Sequence, residues 1–311
     1  MSILATTADP LAARPGAERP FYATGMLLDA QDFSDEQTYH RGRLANALAF
    51  LAGGGTLAGL RVVAQAQTAT QPEEVQVEAG LAVDRLGRLV EVARPACRGL
   101  ADWFADTAQL DDGDTLRSSA YDNLARFLSP RFLNPPGGTP PVLPARAVVA
   151  DVFVRFAQCA VGLTPSFAAG PFDALNAVST SRVRDAYELQ LVARTALGDT
   201  QTGLPLPLPG EAGLAEADPL LRQQALQDAV LGGYPPKSTG IDSGGVALPR
   251  ANEHPAGMDP SAVFLARVLV PVRADDATVR SAEPVLVDNF ARRFLPTLPL
   301  LLAAVLRPDA P

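Results

Sequence analysis

The stretch that most narrows the possible folds is residues 75–92, VQVEAGLAVDRLGRLVEV. Two runs rich in Val and Leu flank the tight-turn tetrad Asp84-Arg85-Leu86-Gly87, which makes an antiparallel hairpin the natural reading. A third β-rich run, GLRVVAQ, lies just upstream. Before it, Ser34 with Gln37 three positions on forms a capping-box pattern, and Asp35 and Glu36 fill the first turn, so a helix is expected to begin at Ser34. Leu44, Leu48 and Leu51 then fall near one helical face, and Gly53-Gly54-Gly55 ends the helix near Ala52. A helix feeding an antiparallel β-meander is the simplest arrangement.

Further along, Asp114 can cap a helix through TLRSSAYDNLARFL, which Pro130 stops. NPPGGTPPVLP then forbids regular structure, so this stretch is expected to be an external excursion. Strand patterning returns in ARAVVADVFVRFAQC and RVRDAYELQLVAR, both at least half buried. A second long excursion, residues 197–260, holds one helix, with Asp218 as N-cap, Pro219 at its first position and Gly232-Gly233 at its end. AVFLARVLVPVRA is another strand, and VDNFARRFLPTLPLLLAAVL reads as a Pro-broken terminal helix. The chain is therefore expected to be α+β, with antiparallel sheets, peripheral helices and two long loop insertions. Its parts are an arm at 1–21, flexible or docking, a helix-plus-meander module at 22–110, a helical and Pro-rich excursion at 111–145, and a second β-rich part at 146–311. No internal repeat and no heptad run stands out.

Composition excludes some functions. At 47% apolar over 311 residues the chain can bury a sizeable core. A net charge of -8 argues against nucleic acid as a partner, because neutralising phosphates takes clustered cations. The first twenty residues lack a cationic start followed by an apolar run, so no signal peptide is expected. The most apolar stretch, residues 294–306, is broken by Pro296 and Pro299, and no membrane span is expected. Cys97 and Cys159 are expected to be buried free thiols.

Candidate chemistry is sparse. Asp29, Asp32, Asp35 and Glu36 form a carboxylate cluster, yet caps and first turns favour acids at such positions. His40 has no second histidine four residues on, as a helical zinc pair requires, and His254 in the loop NEHPAGMDP suits a solvated or turn-packing role. Gly53 to Gly55 closes a helix and opens a strand, the reverse of a dinucleotide loop, and no phosphate-loop lysine follows. With two histidines and no Gly-x-Ser-x-Gly elbow, no nucleophilic triad is indicated. No catalytic residue, metal or cofactor is expected.

Taken as a unit, residues 22–92 carry the order G-x-L-L-x-x-x-D-F-x-x-E-Q-x-Y, a helix, G-L-x-V, and V-x-V-x-x-G-x-A-x-D-x-x-G-R-x-V. This order resembles structural proteins encoded in contractile phage tail and extracellular contractile injection system clusters. FLARVLV followed by VDNFARRFL resembles their closing strand and helix. The matched residues are Gly25, Asp32, Phe33, Glu36, Gln37, Tyr39, Gly59, Gly80, Asp84, Gly87 and Arg88. The resemblance implies a non-enzymatic component at the baseplate or cap end of a tube and sheath assembly. Such a subunit would form a ring-like homo-oligomer touching tube, sheath or baseplate proteins, in the bacterial cytoplasm during assembly and afterwards in the particle.

Physical chemistry gives these residues jobs of their own. Gly80 and Gly87 permit positive φ in turns or bulges, Asp84 bonds its own backbone two residues on, and Arg88 is placed to pair with it. Phe33 and Tyr39 are expected to pin the helix to the meander. The long loops, 130–145 and 197–260, become candidate interfaces. Two other classes remain open: a surface-binding, adhesin-like module, which calls for exposed aromatic patches, and an uncharacterised hydrolase, which calls for a concave pocket with perturbed titratable groups.

Overall fold

The structure, a computed structural model, describes residues 9–13, 18–165, 178–195, 197, 201–205, 218–232 and 248–306. Residues 198–200, 206–217 and 233–247 of the 197–260 insertion, and parts of the arm, lie outside the described residues. The chain is α+β, and among the described residues its strands pair antiparallel, apart from one isolated parallel bridge, Thr56 with Phe294. Helix α1 (Ala30–Leu51) leads into strands β1 (Gly55–Gly59), β2 (Val62–Gln65), β3 (Glu74–Val77), β4 (Gly80–Val83), β5 (Leu89–Val92) and β6 (Ala96–Gly99). These form two small sheets, β1-β4-β5 and β2-β3-β6. In chain order they are one three-stranded meander, each strand bent across its middle so that its halves fall in different sheets.

The bend has a local cause. Gly59 has φ +63° and the buried Leu60 φ 55°, and a Cβ on Gly80 would sit 2.4 Å from the Ala58 carbonyl oxygen. Two backbones cross too closely there for side chains. Gly80 itself does not have positive φ, contrary to expectation; close approach is what requires it.

Helix α1 starts earlier than the Ser34 pattern implied. Asp29 is the N-cap, accepting from the N–H groups of Gln31 and Asp32 at 2.8 and 3.1 Å, while Asp32 accepts the Asp29 N–H at 2.9 Å. Two capping patterns overlap in the sequence, and the Asp29 pair engages first, which leaves Gln37 exposed in mid-helix.

Next comes α2 (Leu100–Leu110), unforeseen in the sequence, whose Leu100, Trp103 and Phe104 are buried. The helix expected from Asp114 to Pro130 is only the five-residue α3 (Asp114–Ser118), followed by β7 (Ala120–Tyr121), a 3-10 turn and α4 (Pro130–Leu133). Nor is this segment wholly external. Leu124, Phe127 and Leu128 are buried against Ala147, Val149 and Leu269, because the second face of the main sheet needs a cover. Residues 134–146 have no regular structure, as the prolines dictate.

The main sheet comprises β8 (Ala147–Pro165), β9 (Val178–Ala193), β10 (Val263–Pro271) and β11 (Leu286–Asp288), in the order β11-β10-β8, with β7 and β9 sharing the far side of β8. Between β9 and β10 lies α5 (Pro219–Gly232), with the Leu220 N–H on Asp218 at 2.8 Å as its cap chemistry predicts. Residues 147–154 are buried on both faces, since the meander and α2 cover one and residues 121–133 and 258–264 the other. Across this sheet Arg267, fully buried, holds both oxygens of Asp151 at 2.8 and 2.9 Å and donates to the carbonyls of Phe127, Thr202 and Gly203.

The terminal segment is not a long broken helix. Only α6 (Leu298–Leu306) is helical. Asn289 bonds the N–H and carbonyl of Val62, both at 2.8 Å, and Arg292 donates to the Leu60 carbonyl at 2.6 Å, so residues 289–297 are held open against the bent meander. Burial pushes the Arg292 guanidinium down to about 10, still charged at neutral pH. Both thiols are free, but Cys97 is exposed on an edge strand, where alternation turns it outward.

His254 fulfils the turn-packing role. It is buried beside the Phe153 ring, its Nε2–H donates to the Ala262 carbonyl at 2.8 Å, and its Nδ1 has no partner among the described residues. Burial lowers its pKa below 6.5, against the pull of the Ala262 carbonyl and Glu253; Arg85 lowers it further, and Asp259 opposes. A depressed histidine contributes stability that is present above its unfolded value and is lost as pH falls through the folded one. The expected result is a stability that declines below pH 6.5 and a shallower decline in His254→Gln, read by urea denaturation across pH. Identical acid slopes for the two proteins would contradict this role.

Candidate assembly surface

The sequence motif divides in two. One part is buried and structural. Arg88 donates to Asp84 at 2.7 Å, to Asp9 at 3.1 Å and to the Ser261 hydroxyl at 2.9 Å, and lies 4.8 Å from the Phe156 ring. It thus ties the arm, the 84–87 turn and the start of β10 together, each of its three guanidinium nitrogens donating to one of them. Asp9 also accepts from Arg41 of α1 at 3.2 Å, and Leu11 beside it is buried, so this part of the arm is docked. Gly87, with φ +83°, lets the turn touch the backbone of α1 at Ala45.

The other part is exposed. Gly25 makes a turn at φ +86°, and Tyr22 donates to Glu36, which raises the Tyr22 pKa. Asp35 accepts from Gln31 at 2.6 Å, so the carboxylate cluster is occupied by capping and local bonds. Among the described residues no group of three or more His, Cys, Asp or Glu could hold a metal ion. Phe33 and Tyr39 do not pin α1 to the meander. Phe33 is 52% exposed, and Tyr39 packs toward the arm, 5.8 Å from the Arg19 guanidinium. The helix meets the meander instead through Ala45, its one fully buried residue among those described, because the backbone contact at Gly87 leaves room for nothing larger.

What α1 and its leader present is therefore apolar and outward: Leu27 is 94% exposed, Leu51 87%, and Phe21, Leu44 and Phe50 more than half. A second apolar element joins them. The Thr56 N–H donates to the Arg293 carbonyl at 2.9 Å and the Thr56 carbonyl accepts from the Leu295 N–H at 2.8 Å, which brings the start of α6 to the edge where α1 ends. On α6, Leu298 and Leu300 are more than 60% exposed. Helix α5 carries outward apolar residues of its own, with Val230 and Leu231 likewise exposed. Sequence patterning placed Leu44, Leu48 and Leu51 near one helical face without saying where it points; outward apolar residues are distinguishable from core only once the packing is known.

An open groove beside β9 holds Arg155, Glu188 and Asp259, whose charges are spent on each other. Arg155 Nε donates to Glu188 at 2.9 Å and its other end lies 4.0 Å from Asp259. Burial would raise the Glu188 carboxyl, but bonds from Gln190 and Arg155 hold it below the ordinary value. No helix among the described residues is long and apolar enough to cross a membrane. Compared with models of known families and with characterised proteins, the chain matches none.

Proposed function

We propose that this chain is a non-enzymatic structural component of a contractile tail-like particle, at its baseplate or cap end, and that it works by protein-protein assembly. The observation that carries the reading is the apolar surface on α1, its leader and α6, which the chain's own core does not use. Large apolar side chains exposed in such number on neighbouring elements mark protein contacts. The ordered motif over residues 22–92 supports the kind of particle. On this reading the chain resides in the bacterial cytoplasm during assembly and then in the particle.

The test is mass photometry of the purified chain mixed with the tube, sheath and baseplate proteins of its own gene cluster. Discrete co-complexes are expected, weakened at least tenfold by Leu300→Asp with Leu301→Asp on α6. A chain that ignores every one of those proteins sinks the reading.

A further inference from the structure

Helix α1 is long, and its outward side has a regular spacing. Phe33, Gln37, His40, Leu44, Ala47 and Leu51 recur at alternating steps of four and three, and every one of them is exposed. That is the a/d spacing of a coiled-coil seam. Gln37, His40 and alanine interrupt its apolar character, which is why no heptad run stands out in the sequence. The buried side of the helix, at Ala45, points elsewhere, so the seam is a second, exposed face that the described core does not cover.

We infer that this seam takes the same helix of a second copy, antiparallel about a two-fold axis. An antiparallel pair sets a positions against d positions. Phe33 then meets the partner's Leu44, Gln37 meets the partner's His40, and Ala30 meets the partner's Ala47. Leu51 runs on to the partner's Met26, itself exposed before the helix begins. Charge agrees with this register. Glu36 and Arg43 flank the seam in the g positions, so Glu36 faces the partner's Arg43, and symmetry makes the pair twice. Arg43 is exposed and has no ion pair among the described residues. A parallel pair would match Glu36 with Arg41 instead, and Arg41 is already held by the Asp9 carboxylate at 3.2 Å, whereas Glu36 accepts from the neutral Tyr22 hydroxyl and has no arginine partner among the described residues. The seam is about 33 Å long. Continued by the exposed 21–28 segment, it presents on the order of the 800 Å² per partner that stable interfaces bury.

The pairing rests on the assembly reading only in treating α1 as an interface; it does not depend on which particle is involved. Sedimentation equilibrium of the purified full chain tests it. A dimer is expected, with Leu44→Glu raising its dissociation constant at least tenfold. Glu36→Arg and Arg43→Glu should each weaken it severalfold, and the two together should restore it, with circular dichroism showing folded protein throughout. A monomer up to hundreds of micromolar overturns the pairing, as does a dimer indifferent to Leu44→Glu. A double exchange that fails to restore association overturns the antiparallel register. A monomer that still binds particle proteins would leave the proposed function standing, and a dimer that binds none of them would remove that function and leave the pairing.

Discussion

Asp151→Ala is expected to cost about 3–5 kcal/mol of folding stability, among the largest single effects in this chain. Asp151 and Arg267 are both fully buried, and Arg194 lies 3.3 Å from the same carboxylate. Burial pushes the Arg194 pKa down, and Asp151 is the group that most opposes this. Removing the carboxylate strands two guanidinium groups in the interior, and a buried charge without its partner is far more costly than a missing pair. The complementary change, Arg267→Met, is also expected to destabilise, because the carbonyls of Phe127, Thr202 and Gly203 lose their donor. Urea denaturation of the two variants reads both effects. A loss below about 1 kcal/mol for Asp151→Ala would place this network among the dispensable surface pairs.

The second large effect is expected at Gly87. A left-handed conformation costs a non-glycine residue about 1–2 kcal/mol, and here a Cβ would also lie 1.7 Å from the Ala45 carbonyl oxygen. That oxygen belongs to helix backbone, so relief requires moving α1 away from the turn. Gly87→Ala should therefore cost about 3 kcal/mol or more and loosen α1. Gly137→Ala is the internal control: its φ is +67° but nothing lies within 4 Å, so only the conformational cost of about 1–2 kcal/mol applies. Thermal denaturation of the two variants, with hydrogen exchange across 30–51, separates strain from collision. Equal losses at both glycines would show that the helix does not rest on the turn.

Much that is local was legible. The Asp84-Gly87 turn, its bond to Arg88 and the Asp218 cap each depend on residues within four positions of one another, where propensity and turn chemistry decide. The candidate surface was less legible. The spacing of Leu44 and Leu51 reveals an apolar stripe but carries no label saying whether it faces the core or outward. The α2 helix was missed because its burial comes from the main sheet, with Trp103 donating to the Leu191 carbonyl across the fold.

By itself the sequence determined the antiparallel α+β class, the meander and its hairpin turn, and the stretches barred from regular structure. These follow from side-chain alternation, φ preferences and proline's missing donor, which act over a few residues. Tertiary structure alone decided the bend of the meander, the extended path of residues 289–297 and the outward face of α1. Asn289 bonds Val62 from 227 positions away, and Arg267 meets Asp151 across 116. Such bonds form only after the chain has closed, when burial makes an unpaired polar group costly, and that cost overrides the local preference for helix at the C-terminal end.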